Sequence, residues 1–171
     1  MISLPDRALT IRQPWAHFIV NLPPRYRKPV ENRSQNMGFF ESFWIHSSKE
    51  VSPDQYEDAC ETALSLGIPQ RLIPAYDALD CGKIIGRVTC TALLAPGGIY
   101  HHGTKPRTAP DQATSDWYTD HWGYILENPI AGPVVKCSGS QNFWRVPPDI
   151  LAKLSPTHDR ASLRPAARTR A

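Results

Sequence analysis

The densest polar cluster in the chain is Arg27-Lys28-Pro29-Val30-Glu31-Asn32-Arg33, which sets three cations, one carboxylate and one amide within seven residues. Pro29 and Val30 favour an extended backbone over a helix. In a strand, alternate side chains share a face, which puts Glu31 and Arg33 on the same side. A lysine that attacks a substrate or takes its proton needs a destabilised ammonium. A neighbouring carboxylate works the other way. Lys28 beside Glu31 therefore reads as a fixed cation, better suited to a phosphate or an oxyanion than to proton abstraction. Glu31 reads as a general base or as an acceptor for the amino group of a base. The alternative is an exposed strip of ion pairs, which contributes little. Arg33 offers a planar fork for phosphate, or else pairs with Glu31 along the strand face.

Two further segments carry groups of similar chemistry. Upstream, Gln13 and Trp15 offer an amide and a stacking surface; downstream, His46, Ser47 and Lys49 offer hydrogen bonds and a cation. Base–aromatic stacking contributes about 1–3 kcal/mol per base, yet most tryptophans pack in cores. Trp15, with Trp122 or Tyr124, is expected to face a cleft, and Trp144 is expected to be core. No acidic partner orients His46 and Ser47, so a catalytic triad is not supported. His101-His102 falls in a long polar stretch and reads as exposed rather than metal-binding. Cys60, Cys81, Cys90 and Cys137 form no C-x-x-C pair and have no histidine at zinc spacing, so they read as reduced thiols. No metal site and no cofactor motif is visible.

Strands and helices elsewhere in the chain must position these groups. Arg7 to Ile11 reads as a strand, and Gln13-Pro14 opens a helix whose Trp15, Phe18, Ile19 and Leu22 form an apolar stripe. Pro23-Pro24 stops it, and a basic turn leads to a short strand through Glu31 and Arg33. Ser42 to Ser47 reads as a strand with Phe43, Ile45 and Ser47 on one face and Trp44 and His46 on the other. Ser52-Pro53 starts a helix that ends at Gly67, with Tyr56, Ala59, Cys60, Ala63 and Leu64 as its apolar face. Ile68 to Asp80 reads as a loop. Gly82 to Leu94 is the longest strand candidate. Pro96 to Ser115 reads as a long loop, of the length found in lids, binding loops or disordered segments. His121 to Glu127 is a strand that Asn128-Pro129 should end. Val134 to Lys136 and Gln141 to Val146 read as a pair joined through a Ser138-Gly139-Ser140 turn, and Pro148 to Leu154 as a closing helix. Strands and helices do not alternate regularly, so a doubly wound parallel sheet is not expected. An α+β fold is expected: a small, mostly antiparallel β-barrel with flanking helices.

The chain's bulk properties narrow the function. Its 171 residues suit one domain, taken as 1–154, with 155–171 as a basic disordered tail. The net charge is +3, but four arginines against one aspartate lie beyond residue 154, which leaves fifteen charges of each sign in the body. Bulk charge thus gives no support for tight duplex DNA binding. No apolar run is long enough to span a bilayer, and the first residues lack a secretory pattern. A cytoplasmic, monomeric protein is the expectation.

The motifs also resemble a known family. Arg12-Gln13-Pro14-Trp15-Ala16, Lys28-x-x-Glu31-x-Arg33 and Trp44-Ile45-His46-Ser47-Ser48-Lys49 are similar, in order, to the ASCH domain, a relative of the PUA fold. Ile84-Ile85-Gly86-Arg87-Val88, Trp122-Gly123-Tyr124-Ile125-Leu126-Glu127-Asn128-Pro129 and Gln141-x-Phe143-Trp144-Arg145-Val146 continue the likeness, which spans roughly residues 8 to 147. The resemblance implies a PUA-like barrel with a cleft between the first helix and the sheet. It also implies binding of RNA, single-stranded DNA or a nucleoside. Some small members of the family hydrolyse N4-acylated cytidines, ribonuclease activity has been attributed to others, and the family occurs beside transcription and translation factors. An enzyme using Lys28 and Glu31, or a domain with a protein partner, is therefore the alternative. Two positions depart from the family pattern. Tyr26 stands where the pattern has glycine, and Glu31 stands where the cytidine-deacylating members have threonine.

Overall fold

Arg7–Ile11 (β1) and Ser42–Ser47 (β3) lie side by side in parallel, with Thr10 opposite His46 and Ile11 opposite Ser47. In this computed structural model, which describes residues 4–97, 99–102, 105–107 and 115–155, that is the one parallel strand pair among the described residues. The other strands are β2 (Val30–Arg33), β4 (Lys83–Ala95), β5 (Ile99–His102), β6 (Lys105–Arg107), β7 (Trp122–Lys136) and β8 (Phe143–Arg145). The helices are α1 (Trp15–Val20), α2 (Pro53–Ser65) and α3 (Pro148–Leu154). The sheet runs β2-β7-β4-β3-β1-β8, with the β5–β6 hairpin hung on the end of β4. The sheet is thus mixed rather than simply antiparallel. The tail beyond Ser155 lies outside the described residues.

The sheet curls because its two longest strands are interrupted. Register shifts occur between Ile84 and Gly86, Arg87 and Thr89, and Cys90 and Ala92 where β4 meets β7, and such bulges bend and twist a strand. The curl brings the first strand of the order back to the fifth: Arg33 of β2 donates from Nη2 to the Thr10 carbonyl of β1 at 2.7 Å. Tyr124 of β7 likewise meets Phe143 of β8, ring centroids 5.8 Å apart. The result is a barrel-like half-cylinder with helices against it. Its interior holds Leu9, Ile11, Phe43, Ile45, Ile85, Val88, Tyr124 and Leu126, capped by Ala16, Ile19 and Val20 of α1. Gly86 permits that cap, since a Cβ there would lie 2.5 Å from the Ile130 carbonyl and 2.6 Å from Val20 Cγ1. The opposite face of β3 is covered as well: Trp44 packs with Ala8, Ile84, Val146, Ile150 and Leu154, under α3. Burial on both faces explains the nearly continuous apolar run from Phe43 to Ile45.

α2 is capped by a reciprocal box. Ser52 Oγ accepts from the Gln55 amide at 3.2 Å and Gln55 Oε1 accepts from the Ser52 amide at 3.3 Å. Gly67 follows its end with φ of +82°. Ala63 packs with Phe18, Leu22, Ile68 and Ile73 and Ala59 is buried, but Leu64, expected on the same face, is 43% exposed. It follows Ala63 by one residue and so points about 100° away from it.

Three sequence expectations are corrected. Asn128-Pro129 does not end a strand: β7 runs through both, and Asn128 takes φ of +48° as a kink within it. Pro129 is tolerated because β2 pairs with β7 only from Trp122 to Ile125, leaving that edge open beyond it. Val134–Lys136 does not pair with 141–146. Val135 and Lys136 join Ile84 and Lys83 of β4, while β8 joins β1. Finally, the 96–115 segment is not all loop, since 99–102 and 105–107 are paired strands and include His101 and His102; residues 108–114 lie outside the described residues. Among the described residues no helix is long and apolar enough to cross a membrane.

Candidate functional site

Parallel pairing of β1 and β3 brings both carboxyl ends to one edge, where the chain leaves each strand and opens a crevice. The curl then carries β2 across the same opening. An open cleft of about 920 Å³ results, walled by Thr10 and Ile11, by Glu31 to Ser34, by His46, and by the Gly139–Asn142 loop. Arg12, Trp15, Ser48 and Lys49 stand at its rim. Arg12 and Lys49 are exposed and form no ion pair with the described residues.

An ion triad lies at the base. Lys28 and Glu31 are only 5% and 6% exposed. Lys28 Nζ donates to the Val30 carbonyl and to Glu31 Oε2, the latter at 2.9 Å. It also lies 5.9 Å from the centre of the Trp15 ring. Arg33 Nε is 3.0 Å from Glu31 Oε1. The Nε–H does not point along that line and has no aligned acceptor, so the contact is an ion pair rather than a hydrogen bond. Burial alone would raise the Glu31 pKa, but the Lys28 and Arg33 charges outweigh it and hold the carboxyl below its ordinary value. Glu31 is thus a carboxylate with a cation on each oxygen. Arg33 spends Nε on Glu31 and Nη2 on Thr10, which leaves Nη1 for a ligand.

Trp15, Glu31, Asn32, Arg33, His46 and Lys49, all singled out from the sequence, line this one cleft. Asn32 has both ends of its amide engaged, donating to the Trp117 carbonyl at 2.8 Å and accepting from the Thr119 amide at 3.2 Å. Four other candidates are structural. Gln13 is buried, donating to the Asp80 carbonyl and accepting from the His17 amide, so it ties α1 to the segment before β4. Ser47 is held by the backbone of Lys83. Tyr124 is a core residue whose hydroxyl accepts from Met37 N and donates to the Gly38 carbonyl. Trp122 is partly buried and packs against the interior. The expected second cleft aromatic is therefore neither Trp122 nor Tyr124. It is Trp117, 6.3 Å from Trp15 and nearly perpendicular to it. Trp15, Lys28, Glu31, Asn32 and Trp117, with Thr62, Asp116 and Thr119, line a mostly apolar side chamber of about 250 Å³. That is smaller than sites for drug-sized ligands and suits a single planar ring.

Sequence reasoning missed Trp117, and also Arg12, Ser34 and the 139–142 loop as cleft walls. Ser138-Gly139-Ser140 reads as a plain turn in sequence. Its one signal was the glycine, since a Cβ on Gly139 would sit 2.2 Å from His46 Cε1. His46 itself is buried, with its ring edge-on to Trp144 at 5.4 Å. Trp144, expected in the core, is only partly buried and donates from Nε1 to Thr10 Oγ1 at 3.0 Å.

No family model matches the chain, and none of the curated proteins matches it.

Proposed function

We propose that this protein is a single-stranded nucleic-acid-binding module, with RNA as the first candidate, on a PUA-like barrel of the ASCH kind. The observation that carries the reading is the charge balance of the cleft. Arg12, Arg33 and Lys49 face it, and the one carboxylate among its described lining residues, Glu31, is already matched by Lys28 and Arg33. A net positive, open groove tracks a phosphate backbone without reading sequence. Trp15 and the side chamber behind it offer an unpaired base a face to stack on.

What favours binding over hydrolysis is the state of the two candidate catalysts. Lys28 Nζ already serves two acceptors beneath Trp15, and Glu31 is tied on both oxygens. A nitrogen held by two acceptors is not poised for attack, and a carboxylate that two cations neutralise is a weak base and a poor nucleophile. The test is a titration of tryptophan fluorescence with a short single-stranded RNA and the matching DNA at low salt, run beside a turnover assay on N4-acetylcytidine and the same RNA. Binding weakened by Lys49→Ala and Arg12→Ala, without turnover, supports the module. Absence of binding at low salt, or turnover that is lost in Lys28→Ala, overturns it.

A further inference from the structure

At the inner corner of the cleft, the groups around His46 share one proton too few. The imidazole is 2% exposed, and its Nε2 lies 3.2 Å from the Cys137 carbonyl. A carbonyl only accepts, so Nε2 carries the hydrogen. Nδ1 lies 3.2 Å from Thr10 Oγ1. That hydroxyl has a single proton to give, and it sits 2.7 Å from the Ser140 carbonyl, another pure acceptor. Trp144 Nε1 fills one lone pair of the same oxygen at 3.0 Å. In the neutral imidazole, Nδ1 therefore presents a bare lone pair to an oxygen whose hydrogen is committed to Ser140. One more proton, on Nδ1, completes the set with no heavy atom displaced. Nδ1–H then donates to Thr10 and Thr10 to Ser140, while Trp144 donates to Thr10 as before.

This corner belongs to the cleft. Thr10, Arg33, His46 and Ser140 all line it, and Arg33 Nη2 is bonded to the carbonyl of the same Thr10. The loop backbone rests on the ring, since a Cβ at Gly139 would fall 2.4 Å from Nδ1. What opposes the extra proton is burial, which lowers the His46 pKa, with the Cys137 carbonyl opposing in part. No carboxylate among the described residues bonds to the ring. Arg12 follows β1, Glu31 and Arg33 face the corner from β2, Lys49 lies beyond β3, and Lys83 of β4 is paired with Asp80. Arg145 of β8 turns outward to Asp6. Asp149 and Lys153 of α3 act on the neighbouring Cys137 thiol, which burial pushes up.

We propose that a phosphate-class anion entering this cleft is taken up together with one proton on His46 Nδ1, the added positive charge attracting the anion through space and the completed network fixing the 138–142 wall. The proposal rests on the binding function above. It follows because an anion beside the ring favours the imidazolium, and linkage makes the effect reciprocal: whatever the anion does to proton affinity, the proton does to anion affinity.

The test measures affinity for tripolyphosphate and for a short single-stranded RNA between about pH 5.5 and 7.5, in the full chain and in His46→Gln. Imidazole nitrogen NMR is recorded on the free and the loaded protein. The expected result is a dissociation constant that rises towards about tenfold per pH unit through the histidine range, flat in His46→Gln. The spectra should show the Nε2–H tautomer in the free protein and a raised His46 titration when the anion is bound. Thr10→Val, which removes the oxygen that Nδ1–H would reach, should shrink the pH slope while leaving a folded spectrum. Equal pH slopes in wild type and His46→Gln, or an Nδ1–H tautomer in the free neutral protein, overturn the proposal and leave the binding function standing. Failure of both probes to bind at every pH removes the binding function and the proposal together.

Discussion

Glu31 is the residue on which the base of the cleft depends. It neutralises two cations, one of them fully enclosed, and breaking a buried pair from one side costs about 3–5 kcal/mol because the partner is left uncompensated. Glu31→Gln should therefore lower the free energy of unfolding by about that much, read from urea denaturation. The pH dependence has a definite sign. Because the folded carboxyl is held below its ordinary value, its contribution is present above the carboxylate range and is lost as pH falls through the depressed folded value. The acid limb of the stability curve should accordingly be shallower in Glu31→Gln. Histidines act in a different window. Burial lowers the pKa of both His46 and His17, opposed in part by the Cys137 carbonyl at His46, and by Asp80 and the Leu72 backbone at His17. The unfolded chain binds those protons first, from about pH 6.5 downward. Stability should therefore fall as pH drops below about 6.5, and less so in His46→Gln. The sequence made Lys28, Glu31 and Arg33 legible as a cluster, because charge density is visible in a string. It did not show that Arg33 would split its guanidinium between Glu31 and a carbonyl of another strand.

At the scale of elements, local chemistry and close approach make different demands. The capping box of α2 is local, and Ser52→Ala should cost about 1 kcal/mol, within the usual range for a lost N-cap. Gly86 is a tertiary demand, since α1 and the β7 backbone close over it. Gly86→Ala should cost about 3 kcal/mol, at the upper end for overpacking, because the nearest obstacle is a backbone carbonyl that cannot rotate away. Thermal unfolding of the two variants side by side checks the order. Elements with local signals were readable: β1, β3, the start of α2 and α3 fall where branched residues, Ser-Pro caps and Pro148 put them. The long β7 was not, because Asn128-Pro129 has the local signature of a turn. Only the pairing of both its halves with β4 keeps the strand continuous.

The proposed nucleic-acid binding makes its prediction at the scale of the whole molecule. Among the described residues no carboxylate pairs with Arg12 or Lys49 and Arg33 keeps part of its guanidinium unpaired, and each cation that neutralises a phosphate of a single strand contributes about −0.7 to the slope of log K against log salt. A slope of about −2 is expected for RNA, and Lys49→Ala should reduce its magnitude by about 0.7. A titration at several salt concentrations reads both. An unchanged slope in Lys49→Ala would place the strand elsewhere on the surface.

By itself the sequence determined the class of fold, the Ser52 cap of α2, most of the apolar positions and the polar cluster at residues 27–33, because each is written within a few neighbouring positions. The sheet's curl was decided by the tertiary structure alone, through register shifts on β4 and the Arg33–Thr10 bond between strands far apart in the sheet order. That curl put Trp117 rather than Trp122 behind Trp15, made Gln13, Ser47 and Tyr124 into supports, and set the Gly139 loop on His46. The physical reason is range. Capping and periodicity act over one or two turns of chain, whereas a cleft built from β1, β2, β3 and a loop some 130 residues downstream exists only once a curved sheet has closed the distance.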